Sequence, residues 1–280
     1  MRISWRHLPR AVAFFLFMDS NLKIGFPEGL LDERPMRLDV LAQGEGYLAI
    51  AKPPMFALES DPALEQGRAT IAGAIKAQEG KPELLRLGVA SGVASVYPLD
   101  MQASGAGLLA TTKDSAMELK NAFGSYAFEF EFLILSERPY GAVIPDVNLP
   151  ILRHKEKPRA VVSHRYGKKC STRFELVEDL GQWQLWSAKT NFLRWHQIRI
   201  HAAEAGLRLV GDDTYVRVRK VYLSRLKRGA FKGEEVLPIY DNMAYHLSKV
   251  SFPACGERVQ VECPLPKGFE TLIKRIKGAC

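Results

Sequence analysis

The chain reads as one mixed α+β unit, because strand-like alternation and helix-like spacing follow one another along it and no repeat or low-complexity linker divides it. Phe128-Glu-Phe-Glu-Phe132 alternates apolar with acidic residues, the mark of a strand with one buried face. Thr112 to Phe123 instead sets Ala116, Leu119, Ala122 and Phe123 at helical spacing behind a capping threonine, and Gly124 ends the run. A length of 280 residues allows one large domain or two modest ones, and 47% apolar with 25% charged residues excludes disorder and fibrous repeats.

The remaining elements follow in order. Residues 1–37 have no clear periodicity and read as an N-terminal extension, leaving 38–280 as the folded domain. Arg2, Arg6 and Arg10 before the apolar run from Ala11 to Met18 echo a signal peptide, but no small-x-small cleavage site follows, and Met18 is an alternative start. No later stretch approaches the ~20 apolar residues of a membrane span, so a cytoplasmic protein with no membrane partner is expected. Gly46 to Ala51 predicts a strand halted by Lys52-Pro53-Pro54, Ala69 to Gln78 a helix, and Ala94 to Leu99 a short buried strand. Further strands are predicted at 159–164, 171–178, 182–189, 246–252 and 258–263, with helices at 195–205 and 267–276.

The charge balance narrows the partner. Lys plus Arg number 39 against 31 acidic residues, and the net charge of +8 favours a polyanion, without separating RNA from DNA or anionic lipid. The segment from Arg217 to Lys232, dense in Lys and Arg with Tyr222 and Phe231 between them, fits either a solvated loop or a phosphate grip. Cys170, Cys255, Cys263 and Cys280 form no CxxC pair and have no histidines at zinc-finger spacing, so neither a metal site nor a disulfide framework is expected, in keeping with a reducing compartment.

No phosphate-binding GxxxxGK[ST] loop, HExxH helix or GxSxG elbow is present. Two places remain for chemistry. Asp100 ends an apolar strand and runs into Gln102-Ala-Ser-Gly-Ala-Gly107, small residues that let another molecule approach the backbone; a turn-forming aspartate explains the same pattern. Arg194-Trp-His-Gln-Ile-Arg-Ile-His201 crowds two arginines and two histidines at a helix start. A buried Arg199 there needs an anion, whereas His196 and His201, five apart, are poorly spaced for one metal and suit hydrogen bonding in the core.

Taken together, these segments resemble the RluA-like branch of RNA pseudouridine synthases. Tyr97-Pro-Leu-Asp-Met-Gln-Ala-Ser-Gly-Ala-Gly-Leu-Leu109 is similar to that family's HRLDxxTSGLLL, with Asp100 on the catalytic aspartate. Arg194 to His201, continuing through Gly206 to Gly211-Asp212 and Tyr215, resembles RTHQIRVH…G…GD..Y, with Arg199 on the arginine that pairs with the aspartate. Tyr47-Leu-Ala-Ile-Ala-Lys-Pro53, Gly167-Lys168 with Thr172, Ala244-Tyr245-His246 and Pro264-Leu-Pro266 extend the likeness across most of residues 38–276.

The resemblance implies a mainly antiparallel sheet with flanking helices around a central cleft, and a cofactor-free, metal-free isomerisation of uridine in ribosomal or transfer RNA, not DNA; the sequence does not reveal the oligomeric state, and a monomer is the default. It implies catalytic roles for Asp100 and Arg199, packing of an extruded uracil by Phe132 and Ile198, and substrate contacts from Arg194, His196 and Pro98. Departures accompany it. Tyr97-Pro98 replaces the family's HR, so the arginine that fills a flipped nucleotide's space is missing; Phe132 stands where spacing puts a tyrosine; and TGR is stretched to Thr190-Asn-Phe-Leu-Arg194. Those departures motivate a rival reading, an RNA-binding relative without catalysis. A carboxylate-dependent hydrolase acting at a sugar carbon is the more distant alternative, with Glu129 and Glu131 as its second acid.

Overall fold

The computed structural model describes residues 22–60, 68–89, 91–226 and 237–279. Its strands are β1 (Lys23–Phe26), β2 (Met36–Gly44), β3 (Tyr47–Lys52), β4 (Ala94–Ser95), β5 (Ser104–Ala110), β6 (Glu129–Glu137), β7 (Asp146–Val147), β8 (Ile151–Arg153), β9 (Ala160–Val162), β10 (Thr172–Leu180), β11 (Trp183–Thr190), β12 (Arg208–Leu209), β13 (Tyr245–Ala254) and β14 (Glu257–Glu262). The helices are α1 (Ile71–Lys76), α2 (Pro82–Arg86), α3 (Lys113–Gly124), α4 (Gln197–Glu204), α5 (Leu223–Leu226) and α6 (Lys267–Lys277). Among the described residues no helix is long and apolar enough to cross a membrane.

One sheet runs in the order β1-β2-β3-β5-β13-β6-β11-β10-β7, with β4, β12 and β14 pairing off this path, and β8 and β9 form a separate hairpin. Its pairings are antiparallel except that of β5 with β13, where His246 lies opposite Ser104 and Leu247 opposite Gly105. That junction needs a residue with no side chain. Gly105 has φ +129, and a Cβ there would sit within the backbone of Leu247. Close backbone approach at this point is what brings the strand following Asp100 against the one that begins at Tyr245.

The alternating run of β6 does what its pattern requires. Phe130, Phe132 and Ile134 face the core, and Glu129 turns outward. Phe128, Phe130 and Phe252 stack beside Tyr97, whose hydroxyl donates to the Ala106 carbonyl at 2.7 Å. The predicted cap of α3 is present, and Ser115 answers Thr112 to complete a reciprocal capping box.

Two expectations change. The strand expected over Ala94 to Leu99 stops at Ser95; Val96 still donates to Leu108, but Pro98 has no N–H for a ladder, and the chain leaves the sheet toward Asp100. Residues 23–26, expected in the extension, instead pair with β2 and bury Ile24 and Phe26, a run too short for its alternation to stand out. The apolar run from Ala11 to Met18, and residues 227–232 of the basic segment, lie outside the described residues.

Substituting Gly105→Ala is expected to destabilise the fold by about 3 kcal/mol or more, since strain at positive φ and overpacking against a neighbouring strand act together. Urea unfolding measures this, and a midpoint equal to that of the parent chain would contradict the account of the junction.

Candidate active site

Asp100 stands in the turn after β4, 6% exposed, on the wall of a cleft of about 520 Å³. Its Oδ1 accepts the backbone N–H of His196 at 3.1 Å. That amide is free to point outward because His196 precedes α4 in the left-handed conformation, φ 59, so its N–H is not drawn into the helix. Two segments almost a hundred residues apart in the chain thus meet at one hydrogen bond.

Arg199 lies on the first turn of α4, 1% exposed, and lines the same cleft. Its ion pair is a correction to the expected one. Nε donates to Asp212 Oδ2 at 2.9 Å and Nη2 to Asp212 Oδ1 at 3.1 Å, a bidentate pair with a carboxylate that is itself fully buried. Nη2 also reaches Thr214, and Nη1 reaches His196 Nε2 at 3.0 Å. Asp212 further accepts the N–H groups of Thr214 and Tyr215. Burial pushes the Asp212 carboxyl up, but the Arg199 hydrogen bonds and charge outweigh it and hold the group below its ordinary range. Among the described residues Arg199 makes no ion pair with Asp100; it touches the aspartate's support, not the aspartate.

The hydrogen bonds assign the His196 tautomer. A guanidinium only donates, so Nε2 accepts, and the proton sits on Nδ1, which faces the Tyr215 hydroxyl at 2.9 Å. Burial holds the imidazole at about 4, so it is neutral near pH 7. Tyr215 also receives the Ala160 N–H at 2.8 Å, tying the network to the β8–β9 hairpin. Trp195 lies flat on His196, with ring centroids 3.7 Å apart, and Arg153 covers its other face at 4.5 Å.

Lys52, named in the sequence as part of a strand stop and of a KP match, proves to be a strut for the turn that carries the aspartate. It is 2% exposed, and its ammonium donates to the carbonyls of Pro53, Met101 and Ala103, two of which belong to the Asp100 turn. Burial pulls its pKa down to about 7 against the upward pull of the Asp100 charge.

The other expected site residues are dispersed. Pro98 is exposed and lines the cleft with Asp100 and His196. Phe132 and Ile198 are wholly buried and do not line it; Phe132 lies beneath Tyr245 at 5.2 Å, so both support the floor rather than present a surface to a base. Arg194 turns away, with Nε and Nη2 on the Lys169 carbonyl. His201 is a core residue between Thr172 and the Leu149 carbonyl. Glu129 pairs with Arg258 and Glu131 with Ser187, and both line a separate groove.

The cleft is lined by both signs of charge, Glu59, Asp100 and Asp213 beside Lys120 and Arg199. On the loop that brings Pro158 to the cleft, Lys155, Lys157 and Arg159 are exposed, with Glu156 among them. No group of three or more His, Cys, Asp or Glu side chains suited to a metal is found among the described residues.

No family model matches the chain. It is 27% identical over 241 residues to an uncharacterized RNA pseudouridine synthase of Synechocystis, a span of 84% of this chain and 68% of that protein. It is 23% identical over 185 residues to ribosomal large subunit pseudouridine synthase D of Zymomonas mobilis, covering 65% and 55% of the two chains. The solved structure of human RNA pseudouridylate synthase domain containing 4 superposes with a TM-score of 0.65 at 17% identity, over 85% of this chain and 92% of that one, and shares its fold.

Arg199→Met is expected to cost about 3–5 kcal/mol, because it strands the buried Asp212 carboxylate. Chemical denaturation checks this; a loss below about 1 kcal/mol would mean the pair is not holding α4. Lowering the pH gives a second expectation. His196, His201 and His246 are each held at about 4, below the 6.5 of a free imidazole, so between these values the unfolded chain binds more protons than the folded one. The stability these neutral rings contribute is complete above pH 6.5 and lost as pH falls toward 4, on the order of a few kcal/mol for each ring. Denaturation midpoints that stay flat across this window would count against neutral buried rings.

Proposed function

We infer that this chain, a member of the RluA-like branch of RNA pseudouridine synthases, isomerises uridine to pseudouridine in ribosomal or transfer RNA, with Asp100 as the reacting carboxylate. The observation that carries the reading is the hydrogen bond between Asp100 and His196, which joins the two motif segments at one cleft wall. The relatives and the shared fold point the same way.

The reaction breaks the bond from N1 of uracil to C1′ of ribose, turns the base, and joins C5 to C1′. A proton leaves C5 and N1 gains one, so no oxidant, reductant or hydrolytic water is consumed. A carboxylate beside the sugar serves either as nucleophile at C1′ or as base at C2′. Asp100 suits both tasks, since among the described residues a backbone amide, that of His196, donates to its carboxylate and orients it, and no cation is paired with it.

Arg199 acts at one remove. Its guanidinium fixes Asp212 on one edge and His196 on the other, and His196 in turn presents the amide that orients Asp100. Lys52 braces the turn through the Met101 and Ala103 carbonyls. A stacked uridine cannot present its glycosidic bond to this wall, so the nucleotide must be extruded at a cost of a few kcal/mol. Lys155, Lys157 and Arg159 on the Pro158 loop suit the phosphates that flank it.

Asp100→Asn is expected to abolish tritium release from RNA carrying 5-labelled uridine while leaving the denaturation midpoint within about 1 kcal/mol of the parent. Undiminished release from that variant would remove Asp100 from the reaction. Absence of release from the parent chain on ribosomal and transfer RNA alike would favour a binding protein without catalysis.

A further inference from the structure

The two oxygens of Asp100 are unequally served. Oδ1 holds the His196 amide, whereas Oδ2 is buried with no hydrogen-bond partner among the described residues. The guanidinium expected to fill that place is committed to Asp212, Thr214 and His196. A buried carboxylate oxygen without a donor is unfavourable, and a donor aimed at it would favour the charged form.

Tyr245 lies close enough to the Asp100 carboxylate for charge and side-chain hydrogen bonding to act between them. It opens β13, opposite Ile134 on β6, and its neighbour His246 lies opposite Ser104 in the strand that follows Asp100. Its ring is 2% exposed and lies over Phe132, 5.2 Å between centroids and 25° between planes. The phenol that resemblance led one to expect at position 132 is therefore present one layer above it, on a different strand. Burial first, and then the Asp100 charge, hold the phenol well above the ordinary tyrosine range, so it keeps its proton.

The other titratable groups facing Asp100 are Lys52 on β3, His196 and Arg199 at the start of α4, and Tyr215 in the loop beyond it. Lys52 donates to three carbonyls, His196 and Tyr215 bond each other, and Arg199 is committed as above. None of them donates a hydrogen bond to Oδ2.

We propose that Tyr245 is the positioning residue for Asp100, its phenol O–H serving Oδ2 and holding the carboxylate oriented toward the cleft. The effect on turnover rests on Asp100 being the reacting carboxylate; the contact itself does not.

Tyr245→Phe keeps the ring on Phe132 and removes only the hydroxyl. The expected result is a fall in kcat of about ten- to a hundredfold with KM unchanged. A variant that is merely less stable, with kcat per folded molecule equal to the parent's, overturns the proposal. A second measurement needs no turnover: in protein labelled at tyrosine Cζ, Asp100→Asn is expected to move the Tyr245 resonance. A resonance that stays where it was overturns the contact, even if Tyr245→Phe fails to fold. A resonance that moves in a chain making no pseudouridine upholds the contact and sinks the functional reading instead.

Discussion

The fully buried pair of Arg199 and Asp212 is the constraint on which the rest of the site depends. Two charges taken out of water are stable only with near-ideal geometry and with their remaining donors and acceptors satisfied. Both conditions hold, since the fork is bidentate, the spare guanidinium nitrogen meets His196, and the spare carboxylate capacity takes two backbone amides. Because the partners cannot move apart without exposing an uncompensated charge, α4 has one allowed position. The amide at its head therefore has one allowed direction, which is toward Asp100.

Much of the fold was legible because its strands bury one face and its helices carry stop signals. The apolar–acidic alternation of β6 and the threonine-capped spacing of α3 are local patterns, and local patterns survive in sequence. What was missed was of a different kind. Val96, Tyr97 and Leu99 are apolar because they close over the core as the chain leaves the sheet, which composition cannot distinguish from a buried strand. The four residues of β1 hold two alternating positions on the core face, too few to rise above chance.

At the site, the motif order located the aspartate and the helix start, but not who pairs with whom. Asp212 and Asp100 are the same residue type, and both lie near Arg199 in space. Preference between them is decided by loop geometry after α4, where the amides of Thr214 and Tyr215 preorganise Asp212. Phe132 and Ile198 were expected at the base-binding surface because they lie in the right motifs, yet strand alternation and helix facing turn them inward. Lys52 could have been singled out: a lysine ending an otherwise apolar strand has to find acceptors wherever its amine comes to rest.

The order of strands in the sheet has a consequence for how the molecule is made. β13 inserts between β5 and β6, although it is synthesised more than a hundred residues after either. A nascent chain therefore holds two of its most apolar strands with open edges until residues 245–254 have left the ribosome, and open edges pair with whatever strand they meet. The fold cannot be completed domain-first from its beginning. Protection from misassembly arrives only with that late strand, and chaperone cover during translation matters most over that interval.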